Sequence, residues 1–140
     1  MDYKLELVLV PVADVDRAMD FYTQQAGFNL DGDHRAGDDF RVVQLTPPGS
    51  AASIAVGIGI TDAEPGSYRG THLVVQDLEA ARAELLAKGV EVSEIRHLSQ
   101  EGWKPGVDPA HTDYNSFADF ADPDGNTWVL QERGEFPPKE

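Results

Sequence analysis

Val12-Ala13-Asp14-Val15-Asp16-Arg17-Ala18 returns half a chain later as Val75-Gln76-Asp77-Leu78-Glu79-Ala80-Ala81, and each copy follows an apolar run and opens a helical pattern. Asp14 and Asp77 stand 63 positions apart, and Gly27 and Gly89, placed to end the two helices, stand 62 apart. A repeat this long within 140 residues is not a solenoid unit, and each copy is too short for an independent core. It reads as one supersecondary module used twice within a single domain spanning residues 1–140.

Working outward, residues 5–12 form a short apolar strand, and Asp14 can accept the orphan amide hydrogens of the first helical turn. Val15, Ala18, Met19, Phe21, Tyr22 and Gln25 follow helical spacing, so the apolar members make one stripe for packing on a sheet. Strands are expected at residues 28–30, 40–46 and 53–60, with Pro47-Pro48-Gly49-Ser50 turning between the last two. The second module repeats the order: a strand at residues 71–75, a helix at 78–88, then strands at 90–95, 116–121 and 127–131, with Asp122-Pro123-Asp124-Gly125-Asn126 as the matching turn. Each half is then strand, helix, strand, strand, strand, an α+β pattern of two βαβββ modules. Module one covers about residues 1–60, the linker 61–69 and module two about 70–133, with a polar tail at 134–140 and a long loop at 99–115 carrying Trp103, His111 and Tyr114.

Composition narrows the function. A net charge of −14 with eleven scattered Lys and Arg argues against nucleic acid as a partner, because a phosphate backbone is held by clustered cations. The same acidity favours cationic ligands. With no cysteine, thiol nucleophiles and thiolate metal sites are excluded. The start lacks the basic head and long apolar stretch of a signal peptide and no segment reaches membrane-spanning length, so a cytoplasmic protein without membrane partners is expected. There is no Gly-Xaa-Ser-Xaa-Gly elbow, phosphate loop or dinucleotide fingerprint; Gly57-Ile58-Gly59 lies inside a strand pattern and marks a bend or a close backbone approach.

The helix-opening Asp14, the helical Phe21-Tyr22, the closing Gly27-Phe28 and the late Asp122-Pro123-Asp124-Gly125-Asn126 occur in an order that resembles the vicinal oxygen chelate superfamily. That superfamily includes glyoxalase I, extradiol dioxygenases, fosfomycin-modifying enzymes and bleomycin resistance proteins. The resemblance covers nearly the whole chain. It implies curved mixed β-sheets around a cavity with helices on the convex face, and a homodimer that completes its cavities across the subunit interface, pairing of the two modules within one chain being the alternative. In metal-dependent relatives the ligand positions fall here on Leu7, Gly70 and Val129, with a fourth near residues 54–56, where no ligand-type residue stands. Such side chains offer a divalent ion no lone pair, so no cofactor is expected at the family position.

Strand parity then assigns the cavity face. It implies a lining of Leu7, Leu9, His72, Val74, Phe117 and Val129, with Gln44 as the first-half counterpart of Asp119. His72 is either a general base or hydrogen-bonding group in the cavity, or a histidine satisfied by a neighbouring carbonyl. Asp119 either binds a cationic or hydroxylated group or is a cross-strand or solvent-facing charge. Trp103 and Tyr114 either stack on a planar ligand, pack the long loop onto the sheet or make a dimer contact. His34 is expected in a turn, His97 near a strand end and His111 in the loop, with no metal-ligand spacing among them.

Two functions fit these expectations. One is a bleomycin-resistance-like protein holding a small, mostly apolar or aromatic molecule, including cationic ones, without the family metal. The other is a lyase, isomerase or dioxygenase of the same superfamily, using His72 as a metal-independent base or a divalent ion relocated from the family position.

Overall fold

Both carboxylates expected to cap helices do so in the computed structural model, which describes residues 1–134. Asp14, in extended conformation, accepts from the Arg17 amide at 3.1 Å and starts helix α1, Val15–Asp20. Asp77 accepts from the Ala80 amide at 3.0 Å and starts α2, Leu78–Ala87. Such caps contribute about 1 kcal/mol each. Beyond α1 the chain widens into a π-helical turn, Phe21–Gln25, with the Ala26 amide reaching back to the Phe21 carbonyl. Gly27 and Gly89 follow the two helical segments at φ 80° and φ 84°. That is the left-handed conformation that releases a helix C-terminus.

The chain resolves into two compact units. Unit one comprises residues 1–68 together with Asp122–Asn126, so the late turn expected in module two lies with the first unit. Its sheet contains β1 (Leu7–Leu9), β2 (Asn29–Arg35), β3 (Arg41–Thr46) and β4 (Ser53–Ile58) in the order β1-β4-β3-β2. β1 runs parallel to β4 and the other pairings are antiparallel. Val43, Leu45, Ile54 and Val56 are buried on one face, along with Val15, Ala18, Phe21 and Tyr22 from the helical segments. A Cβ at Gly57 would stand 2.0 Å from the Arg41 carbonyl oxygen, which makes this glycine a site of close backbone approach.

Unit two comprises Arg69–Ala121 and the chain from Thr127 onward. Its sheet orders β5 (Thr71–Val75), β6 (Arg96–Ser99), β7 (Gly102–Pro105), β8 (Ser116–Ala121) and β9 (Thr127–Glu132) as β5-β9-β8-β6-β7. Ala118, Phe120, Trp128 and Leu130 are buried, with Phe120 and Trp128 stacked 6.2 Å apart, and Leu78 and Leu85 of α2 are buried with them. Two mixed sheets with a helix in each unit make an α+β fold.

Several sequence expectations need correction. Residues 90–95 form no strand: the Arg82 side chain donates to the Ser93 and Val92 carbonyls, which are thereby engaged, and the strand forms at Arg96–Ser99 instead. The loop expected at 99–115 contains β7, so the second half holds one strand more than the first and Trp103 sits on a strand. β2 extends to Arg35, which puts His34 in a strand and not in a turn. β1 is shorter than expected: its register with β4 runs from Leu7 opposite Ser53 to Leu9 opposite Ala55, closed on either side by the Glu6 carbonyl and the Val10 amide. Of the tail at 134–140, only Gly134 lies within the described residues.

Candidate functional site

Strand alternation in unit two separates a buried face from an open one. Ser116, Ala118 and Phe120 are buried, whereas Phe117 and Asp119 lie on the opposite side of β8. Register carries that side across the sheet: His72 pairs with Val129 and Val129 with Asp119, while Val74, Gln131, Phe117 and Arg96 form the adjacent row. Leu98 and Trp103 pair at the far edge, two residues along β6 from Arg96. Val74, Leu98 and Trp103 keep 40%, 49% and 58% of their surface exposed, which marks this as the uncovered face.

The aromatic end of this face is organised by one cation. The Arg96 guanidinium lies 5.5 Å from the Trp103 ring centroid and 5.8 Å from that of Phe117. The two rings meet edge to face at 5.6 Å. Both arrangements are attractive, since the ring faces are negative and the edges positive. Asp119 holds the guanidinium in place through both carboxylate oxygens, at 2.7 Å and 3.2 Å. Such a two-pronged, charge-assisted pair fixes orientation as well as position. Asp119 is therefore in a charge pair with Arg96 between the neighbouring strands β8 and β6. Arg96 was missed by sequence reading, because its partner lies 23 residues away and only the register joins them.

At the other end, the His72 Nδ1 lies 2.6 Å from the Gly70 carbonyl. A carbonyl oxygen only accepts, so Nδ1 carries a proton and donates it there. Gly70 adopts φ 74° and is tied by its amide to the Thr127 backbone and hydroxyl, which fixes the direction of the carbonyl. His72 is thus a histidine whose Nδ1 is satisfied by a neighbouring carbonyl, on a residue that remains exposed.

Tyr114 stays in the loop after β7, at φ 65°, with its carbonyl accepting from the Gln131 side chain and the Arg133 guanidinium 5.4 Å from its ring centroid. The loop is built on Asp108, whose carboxylate accepts from the Ala110 and Thr112 amides and the Asn115 side chain. Those bonds hold its pKa down at about 2. His111 in the same loop donates from Nδ1 to the buried Glu132 carboxylate at 2.8 Å, which raises the histidine pKa. The other Glu132 oxygen accepts from the Leu78 amide at the start of α2. His97 is buried, its Nδ1 donating to the Gly106 carbonyl.

In unit one, Leu9, Ala55 and Gln44 form one cross-strand row, with Leu7 two residues along on the same side of β1. The ten candidate side chains thus divide between the units: Leu7, Leu9 and Gln44 in the first, and His72, Val74, Phe117, Asp119, Val129 and Trp103 on the open face of the second, with Tyr114 in the neighbouring loop. The family's metal positions hold Leu7, Gly70 and Val129, and no group of three or more His, Asp or Glu among the described residues could hold a metal ion. The residues present do not fit that ion.

Two mixed sheets, each with its own helix, make an α+β fold that matches that of the glyoxalase-like proteins. Residues 4–130 match the family model described as Glyoxalase/Bleomycin resistance protein/Dioxygenase superfamily, and the chain belongs to that family. Among solved structures it is similar to TnmS3, an antibiotic binding protein from Streptomyces sp. CB03234, with 32% identity over 94% of this chain and 96% of that one and a TM-score of 0.73. A glyoxalase/bleomycin resistance protein from the same organism is also 32% identical, over 92% and 100% of the two chains, with a TM-score of 0.71. A superfamily member from Sphaerobacter thermophilus DSM 20745 is 26% identical over 94% and 98%, with a TM-score of 0.73. Comparison with curated proteins gives no match.

Proposed function

We propose that this chain is a binding protein that holds a small, mostly apolar or aromatic molecule without the family's divalent ion and leaves it chemically unchanged. The observation that carries this reading is the Trp103–Phe117 pair, ordered by Arg96 on an open sheet face that also presents Val74 and Val129. A flat ring that covers roughly 100 Å² of such surface gains about 2.5 kcal/mol. The similarity to an antibiotic binding protein supports the same class of ligand.

The test is thermal denaturation of the chain against a panel of aromatic antibiotics, neutral and cationic, with each ligand recovered and its mass measured. A saturable rise in melting temperature, lost in Trp103→Ala, with the ligand mass unchanged, is the expected result. No rise across the panel, or a rise that Trp103→Ala leaves intact, overturns the reading. A changed ligand mass transfers support to a lyase, isomerase or dioxygenase. The exposed His72, its ring oriented by the Gly70 carbonyl, favours that second reading. We further propose a homodimer, supported by the large apolar side chains of Tyr3, Leu5 and Leu7 that stay exposed near the first strand.

A further inference from the structure

The loop that joins β7 to β8 grips the end of β9 from both of its faces. Side chains alternate along β9, so Glu132 points inward, with 3% of its surface exposed, and Gln131 belongs to the open face. His111 Nδ1 lies 2.8 Å from Glu132 Oε1, while Oε2 accepts from the Leu78 amide at the start of α2. At the strand itself the Tyr114 amide donates to the Glu132 carbonyl at 2.7 Å. On the open side the Tyr114 carbonyl accepts from the Gln131 side chain at 3.0 Å. The polar member of the Val74, Gln131 and Phe117 row is thereby turned to the loop.

The loop is stiff in itself and rooted at its ends. The Asp108 carboxylate gathers the Ala110 and Thr112 amides and the Asn115 side chain. Asn115 clasps the Leu98 amide and carbonyl, and the Asp108 amide donates to the buried Ser116 hydroxyl. With its pKa held at about 2, Asp108 stays ionised near neutral pH, so this scaffold does not respond to pH there. His111 titrates in that range. The charged groups facing it are all acidic: Glu132 on β9, Glu79 in the first turn of α2 and Asp108 in its own loop. A protonated imidazole compensates the buried carboxylate. A neutral one leaves Glu132 as an uncompensated interior charge, which is then better solvated by water than by the closed loop. His111 and Tyr114 also stand at φ 48° and φ 65°, left-handed conformations whose strain opening relieves.

We propose that residues 109–114 are a pH-operated strap, clamped on Glu132 while His111 is charged and swung off β9 when His111 is neutral, which frees the Gln131 amide on the open face. The turn gathered by Asp108 moves as one body about its root at Leu98 and Ser116. Opening therefore breaks the bond from the Tyr114 amide to the Glu132 carbonyl together with the His111 and Gln131 contacts. The strap is a property of the chain alone and does not depend on which molecule occupies the face.

The test is amide hydrogen exchange of the full chain, followed by nuclear magnetic resonance and corrected for the intrinsic pH dependence, from about pH 5.5 to about pH 8.5. Protection of the Tyr114 amide is expected to fall roughly tenfold as pH rises, the worth of a charge-assisted bond over a neutral one. The buried Ala118 and Leu130 should keep theirs. The Gln131 side-chain amide signals should shift with the same midpoint, and that midpoint should match the titration of the His111 Cε1 proton. In His111→Gln the Tyr114 amide should be weakly protected at every pH. Constant protection of Tyr114 in wild type, a midpoint that departs from that of His111, or an equal fall in His111→Gln overturns the strap. A fall shared by Ala118 and Leu130 overturns it too, because the whole sheet is then loosening. The midpoint comparison uses wild type alone, so it decides the matter even where His111→Gln fails to fold.

Discussion

Asp122 is buried and saturated: Oδ1 accepts from the Asp124 and Asn126 amides, and Oδ2 from the Tyr22 hydroxyl at 2.7 Å and the Asn126 side chain at 2.8 Å. Asn126 in turn donates to the Pro11 carbonyl and accepts from the Tyr68 amide. Removing the carboxylate strands several buried donors at once, so Asp122→Ala should cost on the order of 3 to 5 kcal/mol. Tyr22→Phe should cost only about 1 kcal/mol, because Asn126 still occupies Oδ2. Urea denaturation checks both, and a smaller loss for Asp122→Ala than for Tyr22→Phe refutes the account. The turn motif was legible as a run of residues, but its partner Tyr22, 100 positions away, was not. Arg96 shows the same limit: a residue whose role depends on register carries no local signal.

At the scale of elements, legibility followed alternation. β5 and β8 begin and end where expected, and in each the burial alternates, one face turned inward and one left more open. β7 escaped notice because Gly102-Trp103-Lys104-Pro105 has turn residues at both ends and only Gly102 is partly buried. The loop that follows β7 carries its own pH response. Glu132 raises the His111 pKa in the folded chain, so protonated His111 stabilises the fold. That contribution is complete below the unfolded histidine pKa, about 6.5, and disappears as pH rises through the higher folded value. The melting temperature of wild type should therefore fall relative to that of His111→Gln as pH increases across this window. Parallel curves for the two proteins would mean that the contact with Glu132 does not hold the loop.

For the whole molecule, charge and apolar surface pull in opposite directions. Each chain carries a net charge of −14, so two copies repel. Tyr3 and Leu5 remain 88% and 71% exposed, and burying them favours association. Salt weakens the first force far more than the second, since the Debye length shrinks from roughly 30 Å at 0.01 M to roughly 10 Å at 0.1 M. The proposed homodimer should therefore tighten as salt is added, the opposite of an assembly held by complementary charges. Sedimentation equilibrium at micromolar concentration should give a mass that climbs from the 15.3 kDa of one chain toward twice that value between those salt concentrations. Replacing Tyr3 and Leu5 by Ser should return the mass to one chain at every salt concentration without lowering the melting temperature, because neither side chain is buried within the chain. A wild-type mass of one chain throughout the range removes the dimer, and a dimer that dissociates on adding salt places its interface on charged surface instead.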